Sequence, residues 1–129
     1  MKISRIIFPL LFVAFTLPSF AEPLDLSKRQ SLTPQEAASL QQEVIFLDVR
    51  TSYEWRAGHI KGAIHVPYQE AAGKVATLIP DRSVPIVAYC TVGGRASFVV
   101  DDLRKQGYTV VPVTRGGYLQ LIGHGMEKE

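Results

Sequence analysis

Four short apolar runs separated by helical segments constrain the fold of this chain more than any other sequence feature. Thr-x-x-Glu capping patterns at 33–36 and 51–54, and a glycine at 107, mark helix ends between the runs. Strands that alternate with helices form right-handed βαβ units, whose helices cover both faces of a parallel sheet. We therefore predict an α/β fold with a central, mostly parallel sheet flanked by helices. The strands are predicted over 44–47, 63–66, 85–89 and 109–113, and the helices over 34–42, 52–57, 69–78, 96–106 and 118–122.

The first 21 residues have the three parts of a secretory signal peptide. A start containing Lys2 and Arg5 is followed by an apolar run over 6–17 and by small residues before position 22. As a helix, such a run rises only about 18 Å against a hydrocarbon core of ~30 Å, so a cleaved signal is favoured over a membrane anchor. We predict a periplasmic protein with a signal peptide over 1–21, a flexible lead-in over 22–32, one domain over 33–124 and a C-terminal tail over 125–129.

The charge balance excludes two classes of partner. The chain has 14 basic and 12 acidic residues, and two of the basic ones, Lys2 and Arg5, lie in the predicted signal peptide. The mature chain is therefore formally neutral. It has no basic field that would attract nucleic acid or an anionic membrane, and neither partner is expected.

Cys90 is the single cysteine of the chain, and it lies where a predicted buried strand ends. One thiol cannot form an internal disulfide, so Cys90 is an inert buried thiol, part of an intermolecular disulfide, or a reactive thiol. In parallel sheets, ligands bind outside the carboxyl ends of the strands. The position of Cys90 therefore makes it the candidate catalytic residue.

The residues after Cys90 are suited to holding an anion. Gly93 and Gly94 allow a tight turn in which the backbone amides of Thr91 and Val92 can also point inward, and a helix begins near Arg95. Inward amides and the positive end of a helix dipole favour the thiolate over the thiol. Arg95 is either an ordinary solvated residue or an anchor whose fork geometry suits sulfonate-like oxygens.

Three segments together resemble the rhodanese family. They are FLDVRTSYEWRAGHIKGAIHVPY at 46–68, YCTVGGRAS at 89–97 and RGGY at 115–118. The resemblance extends over about 33–122 and is greatest to the small exported single-domain rhodaneses of the bacterial phage-shock type. Two positions depart from the family pattern, because Ala96 follows Arg95 where a serine is common and Leu121 stands where a tryptophan is common.

The resemblance implies a three-layer α/β domain and a thiosulfate sulfurtransferase that needs no cofactor. Cys90 would take the outer sulfur of thiosulfate or of a persulfide, and would pass it to cyanide or a thiol. The backbone of 91–95 would cradle the persulfide, and Arg95 would bind the sulfonate of the donor. The implied partners are a small anionic sulfur donor and a thiophilic acceptor, with protein thiols among the candidate acceptors.

Other functions remain open beside this one. A persulfide carrier that serves one protein partner would have the same loop, and turnover with small donors would distinguish it from an enzyme. Cysteine phosphatases also use a Cys…Arg loop, but with five residues between the two, whereas four separate Cys90 from Arg95. Tyr89 also precedes the cysteine where those enzymes commonly have histidine. A purely structural domain would leave the loop unexplained.

Asp48, Arg50 and His59 are predicted to support the site rather than to react. Asp48 and Arg50 follow a strand, where carboxylates mostly orient neighbouring backbone. His59 is predicted to be a turn histidine bonded to backbone, because a thiolate stabilised by dipoles requires no general base. With one cysteine and no histidine pair at helical spacing, the sequence does not predict a metal site.

Overall fold

The computed structural model describes residues 13–14 and 24–129, so the predicted signal peptide over 1–21 lies outside the described residues apart from 13–14. Short strands alternate with helices along the chain. Among the described residues, no helix combines the length and the apolar character that crossing a membrane requires. The strands are β1 (Ser31–Leu32), β2 (Ile45–Asp48), β3 (Ile64–His65), β4 (Ile86–Tyr89) and β5 (Val113–Thr114), and the helices are α1 (Pro34–Ala38), α2 (Ser52–Ala57), α3 (Tyr68–Leu78), α4 (Gly94–Lys105) and α5 (Tyr118–Gly123).

The strands pair in parallel, as predicted. β2 lies between β3 and β4, and β1 pairs with β5. The backbone amide of Ile86 donates to the carbonyl of Val110 at 3.0 Å, which connects β4 to the segment that leads into β5. The carboxyl ends of β2, β3 and β4 therefore meet at one edge of the sheet.

Helices cover both faces of the sheet, which confirms the predicted three-layer α/β architecture. On one face, Leu47 and Ala88 pack in a core that includes buried residues of α3 and α4. On the other face, Phe46 and Val87 pack in a second core that includes buried residues of α1 and α5. Successive strand residues alternate between the two cores because neighbouring side chains of a strand point to opposite faces.

Both predicted capping boxes are present. The amide of Glu36 donates to the hydroxyl of Thr33 at 3.1 Å, and the amide of Glu54 donates to the hydroxyl of Thr51 at 3.2 Å. The first helix ends at Ala38, however, rather than at 42 as predicted. The chain continues in tighter turns and reverses at Gln42, whose φ is +75°.

The strand predicted over 109–113 is largely wrong, because β5 consists of Val113–Thr114 alone. The amide of Thr109 donates instead to the carbonyl of Arg82 at 3.1 Å. Val111 is buried in the core beside α3 and α4, although it does not belong to a strand. Within the run, Val111 and Pro112 are thus buried although they lie outside β5.

The predicted lead-in and tail both make ordered contacts with the domain. The segment 22–32 contains β1, whose Leu32 is fully buried. In the tail over 125–129, Met126 is buried, and the amide of Glu129 donates to the carbonyl of His59 at 2.8 Å. Burial of one apolar side chain in each segment explains why both pack against the domain.

Candidate active site

Cys90 directly follows β4 and is fully buried at the carboxyl edge of the sheet. Its sulfur is a free thiol, and Sγ accepts a hydrogen bond from the backbone amide of Gly93 at 2.9 Å. A backbone donor aimed at the sulfur stabilises negative charge on it. The geometry therefore provides what a thiolate nucleophile requires.

The loop after Cys90 turns directly into α4. Gly93, the residue before the helix, has a φ of +103°, a left-handed conformation that glycine adopts without strain. The helix begins at Gly94, two residues earlier than predicted, and the amide and hydroxyl of Ser97 both donate to the carbonyl of Gly93 at 3.0 Å. The positive end of the α4 dipole is consequently close to the sulfur. The residues predicted to bind substrate all lie in this one loop and helix start: Thr91, Val92, Gly93, Gly94 and Arg95.

Arg95 is bound by Glu54, a residue whose role in the site was not predicted from sequence. Arg95 Nη1 and Nη2 donate to the two carboxylate oxygens of Glu54 at 2.7 and 3.0 Å. Nη2 also donates to the hydroxyl of Thr91 at 3.0 Å, and that hydroxyl donates to Glu54 Oε2. This Glu54–Arg95–Thr91 network joins α2 to the Cys90 loop.

Both members of the ion pair are charged. Hydrogen bonds from Arg95 hold the pKa of Glu54 far below its usual range. Partial burial opposes this lowering, and the hydrogen bond from Thr91 adds to it. The hydrogen bond to Glu54 raises the pKa of Arg95, with a smaller contribution from the adjacent Cys90 side chain. Arg95 is therefore a permanent cation beside the buried sulfur, but one already paired with a carboxylate.

Gly117 supports the Cys90 loop from the opposite side. A Cβ at this position would lie 2.0 Å from the carbonyl oxygen of Thr91 and 2.6 Å from that of Cys90, so only glycine fits. The next amide, of Tyr118, donates to the carbonyl of Cys90 at 2.8 Å. The Gly-Gly-Tyr sequence at 116–118 was the available signal, but sequence alone does not show which backbone it contacts.

Asp48 and Arg50 form a buried ion pair behind the site. Arg50 Nε and Nη2 donate to Asp48 at 3.0 and 2.7 Å, and Nη2 also donates to the carbonyl of Gly58 at 2.6 Å. The guanidinium lies 4.1 Å from the ring centre of Tyr118, within range of a cation–π interaction. Burial, and then the charge of Asp48, raise the pKa of Tyr89, whose hydroxyl accepts from the amide of Ile60 at 3.0 Å.

His59 contacts backbone and an aromatic ring instead of the Cys90 loop. Its Nδ1 lies 2.9 Å from the carbonyl oxygen of Trp55, and the two rings stack with their centres 3.4 Å apart. His59 Nε2 lies 3.3 Å from a carboxylate oxygen of Glu129 in the tail. These contacts are those of a turn histidine. Within 13–14 and 24–129, no three His, Cys, Asp or Glu side chains cluster closely enough to hold a metal ion.

The buried thiol, the amide that bonds to it and the start of α4 lie together at the carboxyl edge of a parallel sheet in an α/β protein. Residues 33–123 match the family model described as "Rhodanese-like domain". The chain therefore belongs to the rhodanese-like domain family, which confirms the resemblance noted in the sequence.

Individual relatives differ in activity. The chain is 32% identical over 66 residues to thiosulfate sulfurtransferase PspE of Escherichia coli (strain K12), covering 51% of this chain and 64% of that protein. It is 30% identical over 122 residues to the tRNA uridine(34) hydroxylase of Protochlamydia amoebophila (strain UWE25), covering 87% of this chain but only 37% of that one. The chain thus spans less than two thirds of either relative. The solution structure of a rhodanese-like domain from Anabaena sp. shares the fold, with a TM-score of 0.70 and 24% identity, covering 78% of this chain and 79% of that one.

Proposed function

We propose that this protein is a sulfurtransferase that carries sulfur as a persulfide on Cys90. The observation that carries the proposal is the hydrogen bond from the amide of Gly93 to Cys90 Sγ at the start of α4. This amide is aimed at the atom that would attack a sulfur donor. Membership of the rhodanese-like family and similarity to a thiosulfate sulfurtransferase support thiosulfate as one donor.

The reaction has two balanced steps. The Cys90 thiolate attacks the outer sulfur of thiosulfate, a sulfur–sulfur bond forms on Cys90, and the electron pair of the broken bond leaves with sulfite. With a hydropersulfide donor, a thiolate leaves instead. Cyanide or a thiolate then attacks the outer sulfur of the Cys90 persulfide, takes it as thiocyanate or a new persulfide, and regenerates the Cys90 thiolate.

The loop residues have separate parts in this proposal. The backbone of Thr91, Val92, Gly93 and Gly94 surrounds the outer sulfur, and Arg95 is the residue that would bind the sulfonate of thiosulfate, in competition with Glu54. Three further side chains, Asp48, Arg50 and His59, support the fold around the site and do not touch the reacting sulfur.

We further propose that the protein acts in the periplasm. The charged start, apolar run and small residues of 1–21 support export and cleavage, which would leave the mature chain with one cysteine. A protein with a single thiol has no internal partner with which to form a disulfide in an oxidising compartment. A dedicated sulfur-carrying thiol is compatible with that environment.

Intact-mass measurement of the mature protein tests the proposal directly. After incubation with excess thiosulfate, or with a hydropersulfide, the mass is expected to increase by one sulfur atom, and cyanide is expected to remove it. The Cys90→Ser variant, with its fold checked by circular dichroism, is expected to gain nothing. Absence of the mass increase with both donors would contradict the proposal. An increase without repeated turnover to cyanide or small thiols would identify a persulfide carrier instead.

A further inference from the structure

The hydrogen bonds of Arg95 leave its guanidinium without a free edge that could donate two parallel hydrogen bonds to an incoming anion. A guanidinium has two edges that can bind an oxyanion through parallel N–H bonds, one formed by Nη1 and Nη2 and the other by Nε and Nη2. Both edges therefore include Nη2. Here one Nη2 hydrogen is donated to Glu54 and the other to Thr91, while Nη1 donates to Glu54 as well. A sulfonate could bind Arg95 in this way only after displacing existing partners.

The carboxylate that would have to be displaced is itself held firmly. Besides Arg95, Glu54 Oε1 accepts from the amide of Thr51 at 3.2 Å and from its hydroxyl at 3.1 Å. Glu54 Oε2 accepts from the hydroxyl of Thr91. The capping box of α2 thus fixes Glu54 from one side while Arg95 fixes it from the other.

The charges around the sulfur reinforce this effect. Arg95 and Glu54 cancel each other, so a Cys90 thiolate leaves the immediate site with a net negative charge. Thiosulfate, a dianion, is repelled by that charge more strongly than a hydropersulfide, whose only charge is on its sulfur. The loop amides can still bind the sulfur of either donor.

We infer that Glu54 determines which sulfur donor the Cys90 site uses, by occupying the Arg95 guanidinium and so favouring hydropersulfides of low charge over the thiosulfate dianion. This inference rests on the proposed sulfur transfer through Cys90 and names the donor class of that site. Glu54 acts through Arg95, so it is a specificity-determining positioning residue and takes no part in bond making.

Donor preference in Glu54→Gln tests the inference. Glutamine can still accept the capping hydrogen bonds but lacks the charge that pairs with Arg95. The measurement is the rate constant for sulfur gain on Cys90, followed by quenched intact mass with thiosulfate and, separately, with N-acetylcysteamine hydropersulfide. The variant is expected to raise the thiosulfate rate constant by at least roughly threefold and to leave the hydropersulfide value within about twofold.

Glu36→Gln is the matched control. Glu36 has the same capping-box position in α1 and also pairs with an arginine, Arg29, but it does not contact the Cys90 loop. This variant is expected to leave both rate constants unchanged. An unchanged donor ratio in folded Glu54→Gln, or a slower reaction with thiosulfate, would overturn the inference.

A second measurement needs no variant. Repulsion of thiosulfate by a negative site weakens with salt, so the wild-type rate constant with thiosulfate is expected to increase with ionic strength. A rate constant that decreases or stays constant would contradict the inference, since a freely available Arg95 would attract the dianion. In both measurements, sulfur gain by the wild type shows that the proposed function holds even where the donor inference fails.

Discussion

Replacing Gly117 with alanine is expected to slow sulfur loading on Cys90 by displacing the loop that carries it. The new Cβ would lie 2.0 Å from the carbonyl oxygen of Thr91 and 2.6 Å from that of Cys90, where real Cβ contacts stay above 3.0 Å. The backbone of Thr91 must therefore move by about 1 Å, or the start of α5 must move by as much. Displacement of a nucleophile on that scale costs about 100-fold in rate, and overpacking costs about 1–3 kcal/mol of unfolding free energy.

Gly123→Ala is the matched control for this prediction. Gly123 ends the same helix, α5, and a Cβ there meets no atom within 4 Å. Both variants would be compared with the wild type by urea unfolding and by the rate of sulfur gain on Cys90. Gly117→Ala with wild-type stability and a wild-type rate would refute the assignment of Gly117 as the backbone support of the loop.

Two further predictions concern the charged groups behind and beside the sulfur. Asp48→Asn is expected to lower the unfolding free energy by about 3–5 kcal/mol, because it leaves the buried charge of Arg50 without its partner, and a loss below about 1 kcal/mol in urea unfolding would contradict this. Because the pKa of Glu54 is lowered in the folded state from its ordinary 4.5, its stabilising effect is complete above that pH and is lost as the pH falls through the lower, folded value. The difference in melting temperature between wild type and Glu54→Gln is therefore expected to shrink from pH 7 to pH 2.5, and a constant difference would count against the ion pair.

The sequence predicted those parts of the site that depend on near neighbours in the chain. Cys90, the glycines after it and the start of α4 all lie within a few residues of one another, so their geometry follows from local backbone rules. Both capping boxes were predicted for the same reason, since each joins residues three positions apart. The apolar runs also predicted the parallel sheet, although they did not reveal that 109–112 lie outside β5 and that only Val111 and Pro112 among them are buried.

The parts that were not predicted depend on distant residues. Glu54 carries a local capping signal, but its bond to Arg95 joins residues 41 positions apart, and no periodicity reports such a contact. Likewise, β1 is two residues long and exists because it pairs with β5 at the other end of the domain. A strand of that length has no pattern of its own, so the sequence alone predicts no strand in this polar segment.

The buried pair behind the site shows how a structural contact can still affect the reaction. Asp48 orients Arg50, the guanidinium of Arg50 lies against the ring of Tyr118, and the amide of Tyr118 holds the carbonyl of Cys90. These three contacts connect the Asp48 carboxylate to the backbone of Cys90, so the position of the sulfur depends on a carboxylate that never touches it. Loss of Asp48 should therefore reduce the rate of sulfur gain together with stability. Loss of Glu54, which bonds to the side chains of Arg95 and Thr91 but not to the Cys90 backbone, should instead change the choice of donor.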